Sequence, residues 1–197
     1  MNNSEELKTM TELWLVRHGE TDWNLSGRWQ GQAPDAPGLN ENGRAQALVI
    51  CEQIKAKNIS AIYSSDLLRA RQTAKLMAQP LGLTVILEPR LREMDLGEWE
   101  GMLSDEIEEK YPQELAERTR DPFHTPAPNG ESPVEVEKRV LAAVHEIAGR
   151  HPDKSVLIIA HGVSLAVILC HTEGFRMEEI YQHIPNHAQP YRVQWRR

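Results

Sequence analysis

The sequence predicts an α/β fold: a three-layer sandwich with a mostly parallel central sheet, flanked by helices and carrying a small lid segment. Three observations lead there. Short apolar runs of strand length recur along the chain, segments of helical period lie between them, and two of the runs end in the same histidine–glycine pair.

Taken in order, Leu13-Trp14-Leu15-Val16 is continuously apolar, as a strand buried on both faces should be. Asn40 precedes a helical pattern over about 41–57, with Leu48, Cys51 and Ile54 on one stripe. Ala61-Ile62-Tyr63-Ser64 predicts a second strand, with Ser65 as N-cap of the next helix, and 84–87 predicts a third strand. The acidic, Pro-rich stretch 101–131, with a short helix near 104–111, is expected to be a lid on one domain spanning 1–197. Ser132-Pro133-Val134-Glu135 is a capping box with Pro at the first helical position, opening a helix to about Gly149. Ser155 to Ala160 is a fourth buried strand. The segment after Gly162 is apolar nearly all round, hence a buried helix, and Tyr191 to Trp195 closes the sheet.

A chain of 197 residues with 40% apolar and 26% charged residues fits one ordinary globular domain. A net charge of −7 without a basic run disfavours nucleic acid and anionic membranes as partners. The first ten residues lack an apolar h-region and no apolar stretch is long enough to span a bilayer, so the expected location is cytoplasmic. Cys51 and Cys170 sit in apolar helical patterns without CxxC spacing and are expected to be reduced core thiols. The histidines show no metal-ligand spacing, and Walker, GxGxxG and GxSxG motifs are missing, so neither a metal nor a cofactor is expected.

The chemistry concentrates at two strand ends, Arg17-His18-Gly19 and Ala160-His161-Gly162. In open α/β sheets ligands bind outside the carboxyl ends of strands, so both histidines can face one crevice, and the glycines allow close backbone approach to a ligand. Arg17 and His18 would point to opposite faces of a regular strand, so both serve one site only if the chain leaves the extended conformation there. Either histidine could be a nucleophile on these grounds.

Five blocks appear in one order: Arg-His-Gly-Glu-Thr-Asp-Trp-Asn (17–24), Arg28-Trp29-Gln30-Gly31, Tyr-Ser-Ser-Asp-Leu-Leu-Arg-Ala-Arg-Gln-Thr-Ala (63–74), Leu-Arg-Glu-Met-Asp-Leu-Gly-Glu-Trp-Glu-Gly (91–101) and Ala-His-Gly (160–162). With them the chain resembles the histidine phosphatase superfamily, which includes phosphoglycerate mutases and broad-specificity phosphatases. The resemblance implies that His18 is the nucleophile and becomes phosphohistidine. It implies that Arg17, Arg69 and His161 form a phosphate pocket of fixed positive charge, and that Glu93 is the proton donor. Asn24 and Gln30 align with polar pocket positions and Gly162 joins the binding set. Arg71, about 200° round the helix from Arg69, is expected in solvent. Arg118 and Arg120, in the lid stretch, are expected as solvated helix-end charges, with contact to the substrate as the alternative, and Trp29 and Trp99 as core or pocket wall.

Within the family, phosphoglycerate mutases continue Arg-His-Tyr-Gly after the glutamate, whereas this chain has Met94-Asp95-Leu96-Gly97. Neither Met94 nor Leu96 can grip an anion as arginine and tyrosine do. The expectation is therefore a metal-independent phosphatase of small phosphorylated metabolites in the small-phosphatase branch. A cofactor-dependent phosphoglycerate mutase and a non-catalytic or protein-directed module of the same fold are the alternatives. The loop Gln32–Gly38 is longer than usual for that branch, which bears on rim shape.

Overall fold

The computed structural model describes residues 10–196. Five strands, β1 (Met10–Arg17), β2 (Ile59–Ser64), β3 (Val85–Leu87), β4 (Ser155–Ala160) and β5 (Pro190–Arg196), form one sheet in the order β3-β2-β4-β1-β5. All neighbours pair in parallel except β5, which runs antiparallel to β1. Between them lie α1 (Asp22–Ser26), α2 (Glu41–Ile54), α3 (Leu68–Leu81), α4 (Ser104–Lys110), α5 (Pro112–Arg120), α6 (Pro133–Arg150) and α7 (Gly162–Glu173).

Strand alternation divides the core into two halves. Leu13, Leu15 and Ile158 pack with Val140, Val144 and Ile147 of α6 and with nearly all of α7. Trp14, Val16, Leu157 and Ile159 pack with Ile50 and Ile54 of α2 and Ala70, Ala74 and Met77 of α3. The sheet is thus covered on both faces, which is why its inner strands read as unbroken apolar runs. The expected three-layer α/β architecture is the one observed.

Four local expectations shift. The buried stripe of α2 is Gly43, Ala47, Ile50, Cys51 and Ile54, and Leu48 is 48% exposed. Close packing of Gly43 against Glu20 turns the helix this way: a Cβ on Gly43 would lie 2.1 Å from the Glu20 carbonyl oxygen. The helix after β2 starts at Leu68, with Leu67 and not Ser65 as N-cap, because the Ser65 hydroxyl is engaged elsewhere. Segment 101–131 holds two helices, α4 and α5; the second, PQELAERTR, has few apolar residues and is announced by Pro112 at its first position. The short α1 was not anticipated; Thr21 caps it, accepting from the Asn24 N–H, and Gly27 ends it in the left-handed region. The capping of α6 is as expected, with the Glu135 carboxylate accepting from the Ser132 N–H and hydroxyl at 2.8 Å each. Cys51 and Cys170 are both buried free thiols.

Candidate active site

The ladder between β1 and β4 pairs Arg17 with Ala160, so His18 and His161 leave adjacent parallel strands at the same level. Their ring centroids are 5.1 Å apart. β1 ends at Arg17, and the departure of the chain from the strand lets Arg17 and His18 both line one cleft of about 530 Å³. Gly19 is required by contact with the protein rather than with a ligand: a Cβ there would lie 2.3 Å from the carbonyl oxygen of Gly43 in α2.

Hydrogen bonds fix the chemical state of His18. Its Nδ1 lies 2.8 Å from the carbonyl oxygen of Gly19, which can only accept, so Nδ1 carries the proton. Nε2 then presents a lone pair, and the Arg69 Nε–H donates to it at 3.2 Å. Burial, reinforced by the charges of Arg69 and Arg17, holds the imidazole pKa well below its ordinary value. His18 is therefore a neutral ring, 2% exposed, whose Nε2 lone pair is held by the Arg69 Nε–H and becomes available to attack when that donor turns to a ligand.

Arg69 comes from α3, with Nη2 donating to the Gly31 carbonyl at 2.8 Å, and burial lowers its pKa to about 10. Gly31 has φ +46°, and a Cβ there would collide with the Glu100 carboxylate at 2.1 Å, so the carbonyl that steadies Arg69 depends on glycine. Arg17 donates from Nη1 to the Pro185 carbonyl at 3.1 Å, and its buried Nε has no partner among the described residues. Arg71 is exposed, as expected.

His161 is brought to the site but not in the expected state. It is fully buried, and desolvation, with Arg69 next in size, holds its pKa well below the ordinary value, so it is neutral rather than a fixed positive charge. Its Nε2 is 2.8 Å from the Ser65 hydroxyl, which also accepts the Leu67 N–H. Nδ1 is buried without a partner among the described residues, and it carries the ring hydrogen when the Ser65 hydroxyl donates to Nε2. What His161 offers is a hydrogen bond.

Glu93 is half-buried and accepts from the Met94 N–H at 2.9 Å and the Val163 N–H at 3.2 Å, at the N-terminus of α7. Gly162 lies in the same corner: a Cβ on it would sit 3.4 Å from Glu93 Oε2 and 3.6 Å from Arg17 Cζ. Gly162 and His161 lie behind the residues that line the cleft. Asn24 and Gln30 do line it, and each also has a structural duty: Asn24 Oδ1 accepts from the Thr21 N–H, and Gln30 Oε1 accepts from the Thr21 hydroxyl at 3.0 Å. Trp29 lines the cleft and stacks edge-on against buried Trp99. Met94 and Leu96 form part of its wall.

Two residues stand closer to the site than the sequence reading placed them. Arg118 is 6% exposed and lines the cleft, where a solvated helix-end charge was expected; Arg120 is exposed. His187 packs edge-on against His18 at 5.3 Å and donates from Nδ1 to the His18 carbonyl at 2.7 Å. No spacing in the sequence marks His187, because the contact is made by a loop returning from the far end of the chain.

A family model, "Histidine phosphatase superfamily (branch 1)", matches residues 13–197. The chain belongs to this superfamily. It is 35% identical over 172 residues to "Phosphoserine phosphatase 1" of Hydrogenobacter thermophilus, covering 87% of this chain and 81% of the relative. It is 40% identical over 163 residues to a "Probable phosphoglycerate mutase GpmB" of Cronobacter sakazakii, covering 81% and 74%. Among solved structures, a mycobacterial glucosyl-3-phosphoglycerate phosphatase in complex with VO3 superposes with a TM-score of 0.81 at 31% identity, over 92% of this chain and 90% of that one. Among the described residues no helix is long and apolar enough to cross a membrane.

Proposed function

We propose that this protein hydrolyses small phosphate monoesters through a phosphohistidine on His18. The observation that carries this reading is the state of His18, with Nδ1–H held by Gly19 and Nε2 bearing a lone pair beside the Arg69 guanidinium. Nε2 attacks phosphorus, the P–O bond to the ester oxygen breaks, and Glu93 gives that oxygen its proton. Water, deprotonated by Glu93, then attacks the phosphohistidine, releasing phosphate and restoring the free ring. Arg17 and Arg69 offset the charge on the phosphoryl oxygens, and His161 adds a neutral donor. Asn24, Gln30 and Gly162 shape the rim and floor, segment 101–131 acts as a lid, and the chemistry uses neither metal nor cofactor. The expected place of action is the cytoplasm and the expected partner a small phosphorylated metabolite.

Similarity to a probable mutase keeps isomerisation as a second reading. Met94 and Leu96 in the cleft wall favour hydrolysis, because they stand where mutases of the family carry an arginine and a tyrosine and cannot replace those two contacts.

The test follows phosphoenzyme and free phosphate from p-nitrophenyl phosphate, with and without EDTA. Wild-type protein should form an acid-labile phosphoenzyme and release phosphate despite the chelator, and a folded His18→Ala variant should do neither. Near-normal turnover by that variant would falsify the mechanism. Efficient formation of 2-phosphoglycerate from 3-phosphoglycerate with little phosphate release would favour the mutase.

A further inference from the structure

Four arginines line the cleft, and three have evident employment. Arg17 and Arg69 stand beside His18, and Arg28 is 3.3 Å from the Glu106 carboxylate. Arg118 differs. Its Nη1 donates to the Thr125 carbonyl at 2.8 Å, and its Nη2 to the Tyr181 hydroxyl at 2.6 Å and the Met94 sulfur at 3.6 Å. Its guanidinium lies over the rings of Trp99 and Tyr181, at 5.7 and 5.9 Å. Every one of these partners is neutral, and among the described residues no carboxylate comes within ion-pair distance. A cation this deeply buried without a counter-charge is costly, and the wall around it, with Leu96, Leu115, Val163 and Ile184, is apolar.

We infer that Arg118, assisted by the Tyr181 hydroxyl, is a specificity-determining residue that receives a carboxylate on the substrate while the phosphoryl group lies over His18. The inference rests on the phosphatase reading and narrows it to short phosphate monoesters that carry a carboxylate. Leu115, Arg118 and Thr119 occupy one face of α5 and all line the cleft, so that short helix holds the guanidinium in place. Met94 links the two ends of the site: its backbone N–H holds Glu93 and its sulfur touches Arg118. Among the described residues the Nε–H and one Nη1–H of Arg118 have no acceptor, so the guanidinium keeps donors for a carboxylate, and the charge pairing gains strength in an apolar wall.

The experiment compares kcat/KM for 3-phosphoglycerate and glycerol 3-phosphate, which differ in a carboxylate against a hydroxymethyl group. Wild-type protein should prefer the carboxylate by about ten-fold or more, and Arg118→Met should bring the ratio close to one. Arg120→Met, on the exposed side of the same helix, should retain the preference. Tyr181→Phe keeps the ring and removes the hydroxyl, so it should narrow the ratio in part; it decides the matter should Arg118→Met not fold. Titration of both esters onto the His18→Ala variant should show the same discrimination without turnover. A wild-type ratio near one, or equal losses on both esters in Arg118→Met with the ratio intact, would overturn the subsite. If p-nitrophenyl phosphate is hydrolysed in that case, the phosphatase reading stands alone; if no ester is hydrolysed, both readings fall.

Discussion

In the proposed mechanism Glu93 moves a proton in two directions, outward to a leaving oxygen and later inward from water. Glu93→Gln keeps the shape and one acceptor for the Met94 and Val163 amides but cannot carry the proton. Phosphoenzyme formation from alkyl phosphates should therefore fall by roughly 10²–10⁴, and from p-nitrophenyl phosphate, whose leaving group needs little protonation, far less. Rapid-quench measurement of that step checks this, and equal losses for both leaving groups would assign the acid role to another residue. Arg17, His18, Arg69 and Glu93 were legible in the sequence because each is embedded in a local block whose neighbours also have roles. Arg118 was not. In sequence it is one of two arginines at the end of a charged helix, and its burial depends on Tyr181 and Met94, neither of them near it along the chain. The charge state of His161 was also beyond the sequence, since it follows from total burial beside Arg69.

At the scale of elements, α6 does more than cover the sheet. Arg139, on its exposed-to-buried edge, uses all five guanidinium donors: Nε and Nη2 grip Glu131, Nη1 donates to the Arg90 and Arg92 carbonyls, and Nη2 donates to the Glu93 carbonyl. The helix thereby fixes the backbone that presents Glu93. Lysine has three donors on one atom and cannot reproduce this fork. Arg139→Lys should lose about 1–3 kcal/mol of stability and lower turnover of alkyl phosphates more than of p-nitrophenyl phosphate. Urea unfolding together with the two substrates checks it; a loss of stability with unchanged kinetics would leave Arg139 as a brace without influence on the acid. The long elements were readable because apolar periodicity and caps agree over many residues, as at Ser132 and Asn40. The face of α2 was misjudged by one position because a backbone contact, Gly43 on Glu20, and not side-chain pattern, orients it. α5 is short and has few apolar residues, and its position is held in part by polar contacts such as that of Arg118 with Thr125.

For the whole molecule, burial of neutral imidazoles ties stability to acidity. His18 and His161 have folded-state pKa values well below the ordinary 6.5, and that of His187 is lowered, in each case chiefly by burial. The unfolded chain takes up these protons near pH 6.5 and the folded one does not, so stability is complete above that value and is lost as pH falls below it. Each such group contributes a slope of about 1.4 kcal/mol per pH unit between its unfolded and folded pKa. Urea midpoints measured from pH 7.5 to 5.0 should decline, well above the carboxylate range, and a flat profile would contradict neutral burial. The fold class was legible because both faces of the sheet are covered, while the order β3-β2-β4-β1-β5 was not, since nothing local to a strand names its neighbour. That order has one more consequence. Arg17 and Ala160 become neighbours only when β1 and β4 pair, and the residues between them make up most of the chain. Folding must close that long loop before any nucleophile faces any phosphate pocket. On the proposed mechanism a nascent chain that already holds its early helices has no assembled site, and the site is completed only with the zipping of one ladder at the centre of the sheet.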